Sequence, residues 1–126
     1  MRVFIAHSMT LKAQAEELKA KVEAAGHCVV MPCNPQWRTE LEIHIENADR
    51  IEIQSDLILA LWDGISDGCY GDVCMAIALG KPVYAQGIIE LPPGLTCLAG
   101  GQPLLPRAWA LFSELPTIED WWKQQE

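Results

Sequence analysis

Apolar positions along this chain fall into two patterns that alternate, short unbroken runs and stripes at helical spacing. Val3-Phe4-Ile5-Ala6 is the first run and predicts a strand buried on both faces. After His7 and Ser8, Leu11, Ala15, Leu18 and Val22 recur at the period of a helix, with lysines and glutamates between them. Ser8 or Thr10 can cap this helix and Gly26 can end it. Cys28 to Met31 predicts a second strand, stopped by Pro32 and Pro35. Thr39-Glu40-Leu41-Glu42 has the form of a capping box, and Leu41, Ile45, Ala48 and Ile51, with His44 beside them, supply the buried stripe of a second helix.

Asp56 opens the longest run, Leu57 to Trp62, of the kind a parallel sheet requires. A polar loop follows from Asp63 to Cys69. The next helix is expected from about Tyr70 to Leu79, burying Val73, Ala76 and Ile77, with Gly80-Lys81-Pro82 as its stop. Val83-Tyr84-Ala85 predicts strand four. The stretch from Gly87 to Pro106, rich in proline and glycine, reads as an ordered but irregular loop. Ala108 to Phe112 predicts strand five, and Thr117 to Gln125 a closing helix with Trp121 or Trp122 docked inward.

This alternation implies right-handed βαβ units in one domain over residues 1–126. The expected fold is α/β and flavodoxin-like, a doubly wound parallel sheet of five strands in the order 2-1-3-4-5. Ligands of such sheets bind beyond the carboxyl ends of the strands, where the winding reverses between strands one and three. That position makes Ser8, Met9, Thr10, Trp62, Asp63, Gly64 and Gly68 the candidate substrate contacts.

Composition narrows the ligand. A formal charge of −8 argues against a nucleic acid polymer, which needs a basic face to displace counterions. A small anion remains compatible, because a helix N-terminus can hold a phosphate whatever the overall charge. Cys28, Cys33, Cys69, Cys74 and Cys97 are odd in number and show no CxxC spacing, so free thiols in a reducing cytoplasm are expected and no metal site. The first strand begins at the N-terminus, leaving no room for a signal peptide, and the Leu57–Trp62 run is too short to span a bilayer. No glycine-rich phosphate loop of the GxGxxG or P-loop type is present, and no cofactor is expected.

Several side chains keep two readings. Ser8 and Thr10 could hold a phosphate or ribose hydroxyl, or cap the helix. Asp63 could contact ligand or cap loop amides. His7 could be catalytic or a hydrogen-bonded structural histidine, and His44 a partly buried one. Trp62 could stack on a base or pack in the core, and Trp37 could lid the site or cover the core edge.

The run Ser55-Asp56 to Asp63-Gly64, then Asp67-Gly68-Cys69-Tyr70-Gly71-Asp72, then Ala78-Leu79-Gly80-Lys81-Pro82-Val83, resembles the nucleoside 2-deoxyribosyltransferase superfamily, which includes deoxynucleoside monophosphate N-glycosidases. Phe4-Ile5-Ala6-His7-Ser8-Met9 is similar to the family's first strand, and Asp49 and Arg50 suit its second helix. The resemblance implies cleavage or exchange of the N-glycosidic bond of a deoxynucleoside or its 5′-monophosphate. In that chemistry a carboxylate near the start of a helix attacks C1′, the base leaves, and water or a second base resolves the glycosyl-enzyme. It implies Asp72 as nucleophile, Asp63 and Asp67 at acidic positions that contact base and sugar, and a homodimer whose subunits complete each other's sites. Five tryptophans and the apolar segment from Ile88 to Leu105 suit a dimer. A helix N-terminus would favour the charge of Asp72 and lower its pKa. Here aspartate stands where the family has glutamate, and the turn is one residue shorter than D-x-G-T. Those differences suit an alternative reading, a binding module for nucleotides or nucleotide sugars. A TIR-like NAD-consuming domain is a third reading, resting on the first strand alone.

Overall fold

The computed structural model describes residues 1–33, 38–64, 66–86 and 106–125. Trp37, Pro35, Cys97 and the segments expected from Gly87 to Leu105 lie outside the described residues. In chain order the elements are β1 (Arg2–His7), a 3₁₀ turn (Met9–Leu11), α1 (Lys12–Ala24), β2 (Cys28–Val30), α2 (Glu40–Glu52), β3 (Leu57–Leu61), α3 (Asp67–Ala78), β4 (Val83–Ala85), α4 (Pro106–Glu114) and α5 (Ile118–Gln124). All strand pairs are parallel, and the order is β2-β1-β3-β4.

The sheet is covered on both faces, as its unbroken apolar strands require. Val3, Ile5, Leu57 and Leu59 pack with Ala15, Leu18 and Val22 of α1 and with Trp121 of α5. Phe4, Ala6, Ile58 and Ala60 pack with Ile51 of α2, Val73 and Ala76 of α3, and Ala108 and Phe112 of α4. Gly26 ends α1 at φ +93. Thr117 and Asp120 cap each other's backbone at the start of α5.

Three expectations fail. The expected fifth strand is helix α4, so the described residues hold four strands in the order 2-1-3-4. Ala108 and Phe112 are buried while Ala110 is exposed, one helical turn repeating where a strand would alternate every second residue. Beside β4, where a fifth strand would lie, the described residues hold a single bridge, from Ala85 to Thr117. The stripe expected on α2 holds at Ile51 and fails at Leu41 and Ile45. Leu41 and Ile45 are 70% and 61% exposed, and the buried residues are Asn47 and Ile51. Ile77, expected inside on the third helix, is 43% exposed.

Residues of the recognised motif hold the amino-terminal edge of the sheet, away from the carboxyl end where ligands bind. Asp56 accepts from the Arg2 backbone N–H at 2.8 Å and pairs with its guanidinium at 3.1 Å. These bonds to Arg2 lower the Asp56 pKa to about 2. Ser55 Oγ donates to the Arg50 carbonyl at 2.7 Å, and Lys81 Nζ donates to the Ser55 carbonyl at 2.9 Å. Among the described residues, no helix is long and apolar enough to cross a membrane.

Candidate active site

Strands β1 and β3 end side by side, and one carboxylate fastens together the loops that leave them. Ser8 is fully buried, its N–H donating to the Leu61 carbonyl at 2.9 Å and its Oγ accepting from the Asp63 N–H at 3.0 Å. Thr10 Oγ1 donates to Asp63 Oδ2 at 2.7 Å, and the Ser66 N–H donates to Asp63 Oδ1 at 2.9 Å. Neither Ser8 nor Thr10 caps the first helix, because both hydroxyls are engaged across the loop junction instead. Asp63 bonds both neighbouring loops, which is a positioning arrangement.

Trp62 is 5% exposed, stacked on Phe112 at 4.5 Å, and its Nε1 donates to the Ser66 carbonyl at 2.6 Å. It is therefore a core residue, and its ring faces are not offered to a base. Gly64 adopts φ +88, and a Cβ there would lie 2.7 Å from Trp109 Cζ2. Glycine is required for both reasons, so its role is in the packing of this loop against α4.

Beneath this junction lies a cleft of about 370 Å³. His7 and Met9 line it from the end of β1, and Lys12 and Glu16 from α1. Met31, Pro32 and Cys33 line it after β2, and Ile43, His44 and Asn47 from α2. Ser66, Gly68, Cys69 and Asp72 complete it from α3 and the residue before it. Of the residues singled out in the sequence, His7, Met9, His44, Gly68 and Asp72 thus share the cleft wall. Ser8, Thr10 and Asp63 form the junction above it. Asp67 is exposed in the first turn of α3 and is not part of the lining.

Helix α3 begins at Asp67, three residues earlier than expected, which carries Asp72 into its second turn. The carboxylate is 7% exposed, and among the described residues none donates a hydrogen bond to it. Burial raises its pKa to about 6, while the charge of His44 pulls it down. The expected direction is thereby reversed, because desolvation outweighs a helix terminus that lies a turn away. Cys69 beside it is an inert thiol. Burial first, then the charges of Asp72 and Asp63, push its pKa far up, and its Sγ sits 3.7 Å from the Leu61 carbonyl.

The α2 wall escaped sequence reading because the apolar ridge that drew attention lies on another side of that helix. One signal was available: Asn47 stands at helical spacing between Ile43 and Ile51, and it is buried, its Oδ1 accepting from the Cys33 N–H at 2.6 Å. That bond draws the segment after β2 onto α2 and shapes the cleft. Among the described residues there is no cluster of three or more His, Cys, Asp or Glu side chains able to hold a metal ion.

No family model matches the chain, and no curated relative matches it in sequence. Solved structures do. The 2-deoxyribosyltransferase of Leishmania mexicana superposes with a TM-score of 0.64 at 15% identity, covering 98% of this chain and 95% of that one. The CMP N-glycosidase of Clostridium botulinum gives 0.59 at 21% identity over 94% and 87% of the two chains. The 2-deoxyribosyltransferase of Bacillus psychrosaccharolyticus gives 0.56 at 15% identity over 72% and 78%. The likeness first visible in the motif between Ser55 and Val83 therefore extends through the architecture, and the chain has the fold of the 2-deoxyribosyltransferases and this N-glycosidase.

Proposed function

We propose that this protein cleaves or transfers the N-glycosidic bond of a deoxynucleoside or deoxynucleoside 5′-monophosphate, with Asp72 as nucleophile. The observation that carries the reading is a carboxylate 7% exposed, without a described hydrogen-bond donor, in the wall of a cleft at the carboxyl edge of a parallel sheet. Burying an ionisable group without a partner is costly, so such a group persists where a ligand or a reaction uses it. With a pKa near 6, Asp72 is ionised at neutral pH and desolvated, both of which favour attack on C1′. The shared fold supports the same class of chemistry.

Met9 and the Gly68 backbone are proposed to contact the substrate, while Ser8, Thr10 and Asp63 hold the loops that frame it. Asp67, at the exposed start of α3, is proposed to reach the substrate only from the rim. Aspartate withdraws the carboxylate by about 1.5 Å relative to glutamate, one carbon–carbon bond. The sugar must therefore sit deeper against α3. That shorter reach is also what favours the second reading, a binding module that holds a nucleotide without turnover. We further propose a homodimer through the outward ridge of Leu41 and Ile45 on α2, and a cytoplasmic setting, which the free Cys28, Cys33, Cys69 and Cys74 suit.

The test is chromatography of deoxynucleosides and their 5′-monophosphates after incubation with wild type and Asp72→Asn. Release of free base by wild type, lowered at least about a thousandfold in kcat by the variant with binding retained, is the expected result. Mass spectrometry should find a deoxyribosyl adduct on Asp72. A wild type that binds nucleotides and leaves every one intact would establish the binding module instead.

A further inference from the structure

Resting on the N-glycosidase reading above, we propose that His44 is the acid–base partner of Asp72, protonating the departing base and then activating the water that resolves the glycosyl-enzyme.

Two helices that share one cleft carry the assignment. Asp72 enters the cleft from α3 and His44 enters it from α2. A nucleophile displaces a leaving group from the opposite side of the reacting carbon. With the sugar seated between the two helices, His44 on α2 stands on the side of the base. The water that later attacks C1′ must arrive from that side too, because the first face is then covered by the Asp72 ester. One residue so placed can give a proton in the first step and take one in the second, the acid-then-base alternation of retaining glycoside hydrolysis.

His44 is free to do this. Its side chain is 48% exposed and outside the apolar core, and its ion-pair contact is with Glu40 one turn back on α2, Nε2 to Oε1 at 3.6 Å. The charged and titratable side chains that line the cleft with it include Asp72 from α3, Lys12 and Glu16 from α1, and His7 from β1. His7 is held by its neighbour, Nδ1 lying 3.0 Å from the Ser8 carbonyl. The electrostatic effect runs the right way, since a charged His44 favours the ionised Asp72 that the attack needs.

The steps balance. An Asp72 oxygen forms a bond to C1′ while the C1′–N bond breaks, its electron pair passing to the base, and the His44 imidazolium supplies the base with a proton. Water then bonds to C1′ as the ester bond breaks, its pair returning to Asp72, and the neutral imidazole takes the proton released by water.

The experiment compares two leaving groups in wild type, His44→Gln and Asp72→Asn. Natural nucleobases need a proton to depart, whereas 4-nitrophenolate from a 4-nitrophenyl 2-deoxyriboside does not. His44→Gln should lower kcat on natural substrates by about 10²–10³-fold with KM within about threefold, and leave the first-turnover burst of nitrophenolate within about fivefold while slowing the steady state that follows. The alkaline limb of its pH–rate profile should flatten. Asp72→Asn should abolish both reactions. Equal loss on natural substrates and in the nitrophenolate burst in His44→Gln, at unchanged melting temperature, would make His44 a structural support, and no loss on either would remove it from the mechanism. Either result overturns this proposal and leaves the nucleophile standing. A wild type inactive on both substrates overturns the N-glycosidase reading and this proposal together.

Discussion

The indole of Trp109 occupies the space that a side chain at Gly64 would need. Its Nε1 donates to the Gly64 carbonyl at 3.1 Å, and a Cβ on Gly64 would meet Cζ2 at 2.7 Å. Helix α4 thus braces the loop leaving β3, which carries Asp63.

Gly64→Ala should therefore destabilise the fold by about 2–4 kcal/mol, from left-handed backbone strain added to overpacking. In a thermal or urea melt, combining it with Trp109→Ala should cost less than the sum of the two single changes, because the clash then has no partner. Strict additivity would show that Trp109 moves aside freely.

Asp72→Asn should change the pH dependence of stability. Below about pH 3 the carboxyl is protonated in both folded and unfolded chains and costs nothing. As pH rises, the unfolded chain ionises first, because burial holds the folded group at about 6 instead of 3.8. Wild type should lose stability across that window, by about 3 kcal/mol once both states are ionised. The asparagine variant escapes this loss and should melt higher than wild type at pH 7.5, with the difference closing at about pH 3. Parallel pH curves for the two proteins would refute the buried, unpaired carboxylate. In wild type, turnover should rise with pH with an apparent pKa near 6.

Asp63→Ala removes the acceptor for both Thr10 Oγ1 and the Ser66 N–H. It should cost about 1–3 kcal/mol and mobilise both loops, visible as faster amide exchange at Thr10 and Ser66. Thr10→Val should reproduce the part that belongs to one hydroxyl. If Asp63→Ala left exchange unchanged and only weakened ligand binding, Asp63 would be a ligand contact and not a fastener.

Leu41→Glu combined with Ile45→Glu should leave the fold intact, since both side chains are more than half exposed. Sedimentation should find wild type at twice the chain mass and the double variant at the chain mass. A monomeric wild type at micromolar concentration would remove the dimer.

Much of the architecture was legible in the chain itself. The unbroken runs of β1 and β3 allow no solvated face, and that alone demands a parallel sheet with helices on both sides. Leu18 and Val22 fix the inward face of α1 by spacing, and the position of Asp72 near the start of α3 follows from the motif that contains it. What sequence could not decide was orientation and environment. Leu41, Ile45, Ala48 and Ile51 form a helical ridge as regular as any core stripe, but only Ile51 of its large side chains is buried, and α2 turns Asn47 inward where Leu41 and Ile45 were expected. Ala108 to Phe112 is apolar enough for a strand, and only its packing on Trp62 and the sheet selects a helix. The charge state of Asp72 was beyond reach for the same reason. A pKa depends on the water and charges within a few ångströms, and the walls that exclude that water come from α1, α2 and the turn after β2, brought together only by folding.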